Sequence, residues 1–345
     1  MLGPEKVVIV PMHAQSAKIE ATQVLFAPSL WFSIRQAHRG EDSAVATIEG
    51  GRRAVRFGVA QAFYGVASLA KVVSVNERLL EIAERQEKDA KVRFQAGTIA
   101  KVGLLRAEID RARAEQELKR ARNSYESARI TLATLLDRPA DFEVVEPPEP
   151  PAPGDPAQLE ARALAERPEV AAARATVDAS HAERNAALAQ YLPTVAAFGQ
   201  HNWANSAGLT GQSESWLIGL SASWNILDGG LRESKIRTGN AKIDEAEAKL
   251  KKAEATVRDE VRQALLDLDS ARANAEKAKE QRELAAENQR LVDVSYRAGA
   301  STAVEQADAT AQLRTAEFAL PAEELSARLA GLKVLPAVGA RSPAP

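Results

Sequence analysis

Very few side chains in this sequence could do covalent chemistry. The four histidines, at 13, 38, 181 and 201, have no metal-ligand spacing, and His181 and His201 fit a helix face and a strand. There is no cysteine, which excludes thiolate catalysis, a disulfide framework and a lipid anchor on Cys. No Gly-rich phosphate loop, nucleophile elbow or His-Glu metal pair occurs. No enzyme is expected, with no catalytic, metal-ligating or cofactor-binding residue and no cofactor. Charged residues make up 27% of the chain but the net charge is only -2, so a nucleic-acid partner, which needs a basic excess, is not expected.

The informative spacing is apolar. Trp216, Ile218, Leu220, Ala222, Trp224 and Ile226 recur at every second position, opposite Gly219, Ser221, Ser223 and Asn225, with Leu217 out of step. Period two in β-compatible residues predicts a strand. An apolar face backed by small polar residues, with Trp216 and Trp224 near the ends, fits a strand of a transmembrane barrel. At about 3.3 Å per residue and a 45° tilt, the two Trp stand roughly 19 Å apart along the membrane normal, near the spacing of interfacial aromatic girdles. A weaker strand, Thr194 to Trp203, precedes it, and a Gly/Ser-rich turn, Asn205 to Ser213, joins them. A soluble hairpin packed on helices would show the same alternation. The flanking helices are too long to offer a broad sheet-packing surface, which favours lipid.

Stepping outward, the positioning elements form an internal repeat. At a shift of 202, Arg56 meets Arg258, Gln61 meets Gln263, Phe94 meets Tyr296, Gly97 meets Gly299 and Val102 meets Val304. Each copy reads as a helical hairpin, with its glycine as reversal point. Ile236, Ile243, Leu250, Val257, Ala264, Ala271, Ala278 and Ala285 form a strict heptad seam, which predicts coiled-coil packing that tightens toward Gly299. A continuous helix over 230–297 would run on the order of 100 Å, beyond what a globule can bury. No apolar run reaches the roughly 18 residues of a spanning helix, so a membrane role falls to β-strands.

The expected fold is mainly α, with long antiparallel coiled-coil hairpins in two structural repeats plus a short β-hairpin contributing to a trimeric transmembrane β-barrel. The first hairpin occupies 51–145. A Pro-rich linker, 146–156, follows. The second repeat spans 157–335, with helix 157–191, β-hairpin 193–227, helix 230–297 and helix 301–334. Pro321 is expected to kink or break that last helix. A disordered tail covers 336–345.

These segments resemble the TolC-like outer-membrane efflux proteins. The resemblance rests on Leu-Ala-Gln-Tyr191-Leu-Pro193 leading into a strand, and on Gly219-Leu-Ser-Ala-Ser-Trp-Asn-Ile-Leu-Asp-Gly-Gly230 leading into a long helix. Phe94-Gln-Ala-Gly97 and Tyr296-Arg-Ala-Gly299 are similar to the family's hairpin tips. The match covers about residues 50–335. It implies a homotrimer whose barrel, built from four strands per subunit, meets outer-membrane lipid. Its helical tunnel crosses the periplasm to a periplasmic adaptor and an inner-membrane pump. The bacterial outer membrane and periplasm are the implied location, and passive export the implied role. The resemblance places adaptor contact at Gly97, Thr98, Tyr296, Gly299 and Ala300. It maps an acidic entrance ring onto Glu305 and Asp308, three apart and so on one helix face. Crowding of such a ring would raise its apparent pKa values. Gly103 and Ser301 replace an acidic and a basic residue of the family pattern, which puts a polar lock between the tips in question.

The first half departs from the second. Phe26-Ala-Pro28 resembles Tyr191-Leu-Pro193 at a shift of 165, which implies a 37-residue deletion covering a return strand and the start of the long helix. Residues 1–50 are therefore expected to be a degenerate or truncated segment with one strand at 28–35. The run Val7-Val8-Ile9-Val10 is too short for a secretory apolar core, so no export signal is expected. The competing reading is a periplasmic adaptor-like or structural coiled-coil protein that never enters a membrane.

Overall fold

The computed structural model describes residues 13–145, 153–205 and 212–339. The Val7–Val10 run, most of the Pro-rich linker, most of the turn after Asn205 and the end of the tail lie outside the described residues. The elements run β1 (Ser16–Phe26), α1 (Pro28–Gln95), α2 (Lys101–Leu135), α3 (Pro156–Glu166), α4 (Pro168–Ala189), β2 (Thr194–Ala204), β3 (Glu214–Ser223), α5 (Leu231–Arg297) and α6 (Ala303–Ala337). Two compact units divide the chain. One is Met1–Ala46 with Ala172–Lys252, and the other is Thr47–Ala171 with Ala253–Pro345.

The repeat is visible in matched helices. α1 and α5 have 68 and 67 residues, and α2 and α6 have 35 each. The two reversals match bond for bond. Gly97 and Gly299 take φ of 71° and 78°, the left-handed region that glycine enters freely. Thr98 N donates to Arg93 O at 2.9 Å, and Ala300 N donates to Ser295 O at 2.8 Å, closing the same six-residue C-cap motif.

The first half is where expectation and structure part. Residues 28–35 are helix, and β1 lies earlier, at Ser16–Phe26. Pro28 opens α1 at a first-turn position, where a missing N–H costs nothing and the fixed φ suits a helix. It therefore corresponds to the start of α5, and the shift of 202 continues through it. The alignment with Pro193 and the 37-residue deletion fall, and the long helix of the first copy is whole. α1 begins at 28 where the hairpin was expected to begin near 51. The spacing of Leu30 and Ile34, read as alternation, is also one helical turn.

Three further boundaries differ. The helix expected over 157–191 is broken at Arg167, whose ψ of 128° is extended. The ring of Pro168 disfavours the helical region for the residue before it. The strand expected to reach Ile226 ends at Ser223, leaving Trp224 and Ile226 in the link to α5. α6 runs through Pro321 without breaking and continues to Ala337.

In the unit holding Ala172–Lys252, α4 packs closely on α5. Gly239 is buried, and a Cβ there would stand 3.0 Å from Arg184 Cβ and 3.2 Å from its Cα. Ala182, Ala187, Ile243 and Ala246 are buried beside it in sequence. In the other unit, Ala60, Tyr64 and Leu332 are buried with Phe57, Phe63, Leu325, Leu329 and Leu335 packed against them. Against expectation, an 18-residue stretch of α1 is apolar enough by length and composition to cross a membrane. The packing of Phe57, Phe63 and Tyr64 in that core accounts for apolar side chains in α1 by helix contact. The α5 seam residues Val257, Ala264, Ala271 and Ala278 are buried.

Gly239→Leu should lower stability by about 1–3 kcal/mol, as overpacking does. Leu gains nearly as much helix propensity over Gly as Ala does, so a net loss must come from its extra bulk. Denaturant unfolding of the purified protein checks this, and an unchanged midpoint would refute close packing at Gly239.

Candidate functional site

The sheet is antiparallel in the order β1-β2-β3. Its register sorts side chains by face, because residues directly opposite share one. Trp216 pairs with His201, and His201 with Ile19; Ile218 pairs with Gly199, and Gly199 with Ala21. That face carries Trp216, Ile218 and Leu220 at 73%, 81% and 73% exposure, together with Ile19 at 74%. His201 and Trp216 stack with ring centroids 4.1 Å apart. The opposite face carries the polar side chains, with Val24, Phe198 and Leu217 among them. Lys18 Nζ and Glu20 form an ion pair at 2.7 Å, Gln200 Nε2 donates to Asn202 Oδ1 at 2.6 Å, and Ser221 Oγ donates to Ala196 O at 3.3 Å. Phe198 lies over Gly219, where a Cβ would come within 2.9 Å of its ring and displace it.

Sequence reasoning missed β1. Its signal was present in Ala17, Ile19 and Ala21 alternating with Lys18, Glu20 and Thr22, a small-apolar row against a charged one.

A polar knot ties the sheet to α4 and α5. Arg232, 5% exposed, donates from Nη2 to Ile226 O at 2.8 Å and from Nη1 to Gln190 O at 3.4 Å. Its Nε pairs with Asp228 at 3.0 Å, and its guanidinium sits 4.4 Å from the Tyr191 ring centroid. Tyr191 Oη donates to Glu233 at 2.6 Å, and Trp224 Nε1 donates to Tyr191 O at 3.0 Å. Removing one partner of so buried an ion pair costs about 3–5 kcal/mol. Asp228 and Arg232 stand four apart, the one part of this knot that helix spacing could have disclosed.

The tips lie in the other unit. Arg93 sits 4.8 Å from the Tyr296 ring centroid, and Arg297 pairs with Asp89 at 3.5 Å and with Asp293 at 3.0 Å. The hairpins are thus tied at the tips through Tyr296 of the expected set and through Asp89, Arg93 and Arg297 outside it. Partners some 200 positions apart leave no trace in local pattern, which is why they were not foreseen.

Glu305 and Asp308 are both exposed near the start of α6. Glu305 completes a capping box. Its carboxylate accepts from Thr302 N at 2.7 Å and from Thr302 Oγ1 at 3.1 Å, while Glu305 N donates to Thr302 Oγ1 at 3.2 Å. The Thr302 backbone N–H, then its hydroxyl, hold the Glu305 carboxyl below the ordinary range. Within the chain this shift runs opposite to the rise expected from crowding. The matching position in the first copy, Ala100, has no side-chain cap. Thr98 Oγ1 donates to Arg93 O at 2.9 Å, so Thr98 braces its own turn.

A curated relative, the cobalt-zinc-cadmium resistance protein CzcC of Cupriavidus metallidurans, is 32% identical over 151 residues. That match takes in 42% of this chain and 35% of the relative, so the chain spans about a third of the relative's length. Among solved structures, a membrane protein from Pseudomonas aeruginosa superposes with a TM-score of 0.78 at 20% identity, covering 96% of this chain and 85% of the other. The outer membrane protein VceC of Vibrio cholerae gives 0.78 at 16% identity, covering 95% and 87%. At these identities the superpositions speak for the fold, a helical body with a small antiparallel sheet. The model of the family described as outer membrane efflux protein matches residues 12–138 and 159–339, well over half of the sequence. By that match, and with the fold in agreement, the chain belongs to the outer membrane efflux protein family.

Proposed function

We propose that the chain is a subunit of a passive export duct in the bacterial outer membrane, working as a homotrimer with a periplasmic adaptor and an inner-membrane pump. The observation that carries this reading is the amphipathic sheet. Its exposed row of Trp216, Ile218, Leu220 and Ile19 is suited to lipid, and its Lys18, Glu20, Gln200 and Asn202 row is suited to a wet lumen. Trp216 and Trp224 serve as girdle residues. No bond in the cargo is made or broken by this component. The tips around Gly97, Thr98, Tyr296, Gly299 and Ala300 contact the adaptor.

For cargo, we propose metal cations. The name of the curated relative carries cobalt, zinc and cadmium resistance. The acidic pair Glu305 and Asp308, repeated around a three-fold axis, would favour cations over anions.

Three outcomes test the proposal. The chain should need detergent for extraction. Ile218→Arg should deplete the membrane-inserted form, at a cost of about 2–4 kcal/mol for a cation facing mid-bilayer lipid, while Ser221→Arg on the other face is tolerated. Equal tolerance of both would remove the lipid assignment. In planar bilayers, Glu305→Gln with Asp308→Asn should reduce cation preference. Gln at this position also completes a capping box, so the charge is tested with the helix start intact. Unchanged preference would remove the acidic ring.

The capping box also sets a pH dependence. Because the folded Glu305 carboxyl is held low, its stabilisation is present above the unfolded value of about 4.3 and is lost as pH falls through the folded value. Protection of the Glu305 and Gln306 amides, taken relative to their intrinsic exchange rate at each pH, should therefore fall in acid, and Thr302→Ala should abolish that dependence.

A further inference from the structure

The two copies of the repeat are not covered alike. In the second copy, α4 runs into β2, and α4 packs on α5 while β2 pairs with β3. The α5 row Arg232, Ile236, Gly239, Ile243 and Ala246 recurs every three or four residues and so lies on one helix face. Ile236 is half-buried there and the other four are buried. At the shift of 202 these positions become Leu30, Ile34, Ala37, Glu41 and Ala44 of α1, and all five are exposed. Leu30 and Ile34 are 47% and 51% exposed. α1 meets α4 with a different face, where Ser43 Oγ stands 3.3 Å from Thr176 Oγ1.

The sheet shows the same asymmetry. β1 and β3 run the same way on either side of β2. The edge by which β3 holds β2 therefore corresponds to the edge that β1 leaves open. All eleven residues of β1 are exposed. An open edge presents unpaired N–H and C=O groups, a template for another strand. The bare row and the open edge adjoin at Ala27 and Pro28, within the unit of Met1–Ala46 with Ala172–Lys252. Among the described residues, the first copy has no counterpart of α4 and β2.

We propose that the bare row of α1 and the open edge of β1 form one acceptor surface for a second helix–strand segment of the α4–β2 kind. Its helix seats small residues on Leu30, Ile34 and Ala37, and its strand pairs antiparallel with β1, as β2 does with β3. The surface follows from the repeat and goes beyond the duct reading, since it holds with or without lipid. It also sets the occupant's chemistry. Ala37 stands where the second copy has Gly239, and its methyl sets the incoming helix back by a few tenths of an ångström, which calls for a small residue opposite. Glu41 stands where the second copy has Ile243, and a carboxylate covered there needs a hydrogen-bond donor from the occupant.

The test adds a synthetic peptide of residues 168–204 to the full-length chain in detergent. Native mass spectrometry should show one peptide captured per chain, and hydrogen exchange of Ser16–Phe26 should slow on capture. Ile34→Glu, at a side chain half exposed in the chain alone, should weaken capture by about tenfold or more through lost apolar burial. The chain has no cysteine, so introduced thiols report single positions. Arg184 stands opposite Gly239 in the second copy, so a peptide carrying Arg184→Cys should form a disulfide with the Ala37→Cys chain. It should form none with Arg35→Cys, which is exposed on another face of α1. No capture, no disulfide at Ala37→Cys, equal cross-linking at both positions, or unchanged exchange in β1 would each overturn the acceptor surface and leave the duct standing. Disulfide dimers of the Ala37→Cys chain without peptide would assign the face to a second copy and overturn it as well.

Discussion

A β-strand places successive side chains on opposite faces, and in β3 that rule puts every large apolar residue of its alternating row on the same side. Trp216, Ile218 and Leu220 stand exposed there, and β2 adds His201 and Gly199 beside them. Burying such a row in an apolar medium is favourable at roughly 25 cal/mol per Å². Neither α4 nor α5 covers it. A row of this kind, backed by Ser, Gly and Asn, has its natural partner in hydrocarbon. Hydrocarbon demands paired backbone groups, and these strands pair from β1 through β3 with one shift of register between Val24 and Phe26.

The knot at Arg232 follows from the same constraint. A chain leaving a sheet for a helix exposes carbonyls and N–H groups that must find partners. Arg232 takes the carbonyls of Gln190 and Ile226, and Asp228 takes the Arg232 N–H in the first turn of α5 and balances the charge. The corresponding junction of the first copy is apolar. Phe26 meets Trp31 edge to face at 5.4 Å, Ala27 is buried and Pro28 opens the helix. Two junctions related by repeat thus solve one problem by different chemistry, one with a buried ion pair and one with a proline that lacks the donor in question.

In the tip-bearing unit, packing grades from apolar to polar along α1 and α6. Leu332 and Tyr64 are buried, Glu317 is a buried charge with two partners, and the pairs nearer the glycines are wet. Small seam residues such as Ala264, Ala271 and Ala278 bring the helices close without the large apolar side chains that would fix them rigidly. Even so, Ala309, Leu313 and Ala316 stay buried along that stretch of α6, and ionic and cation-π contacts tie the hairpins at the reversals.

Composition and periodicity by themselves determined the helical hairpins, the reversal glycines and the alternating strand, while short motifs at their junctions carried the resemblance to the family. Each is a local pattern: a seven-residue seam, a glycine at matched positions, a two-residue alternation. Local patterns survive in one dimension because adjacent residues carry them. The misplaced strand at 28–35 shows the limit, since Leu30 and Ile34 satisfy both a strand's period and one helical turn. Only pairing with β2 placed the strand at Ser16–Phe26. The tertiary structure alone decided which arginines meet which partners. Arg78 and Arg282 reach Glu317 across separations of 239 and 35 residues, and Arg93 reaches Tyr296. The Glu305 cap, by contrast, is local, because Thr302-x-x-Glu305 is a capping box that the sequence already spells. Charged residues are 27% of this sequence, so charge alone does not mark a partner. Distance and burial do, and both exist only once the helices have packed.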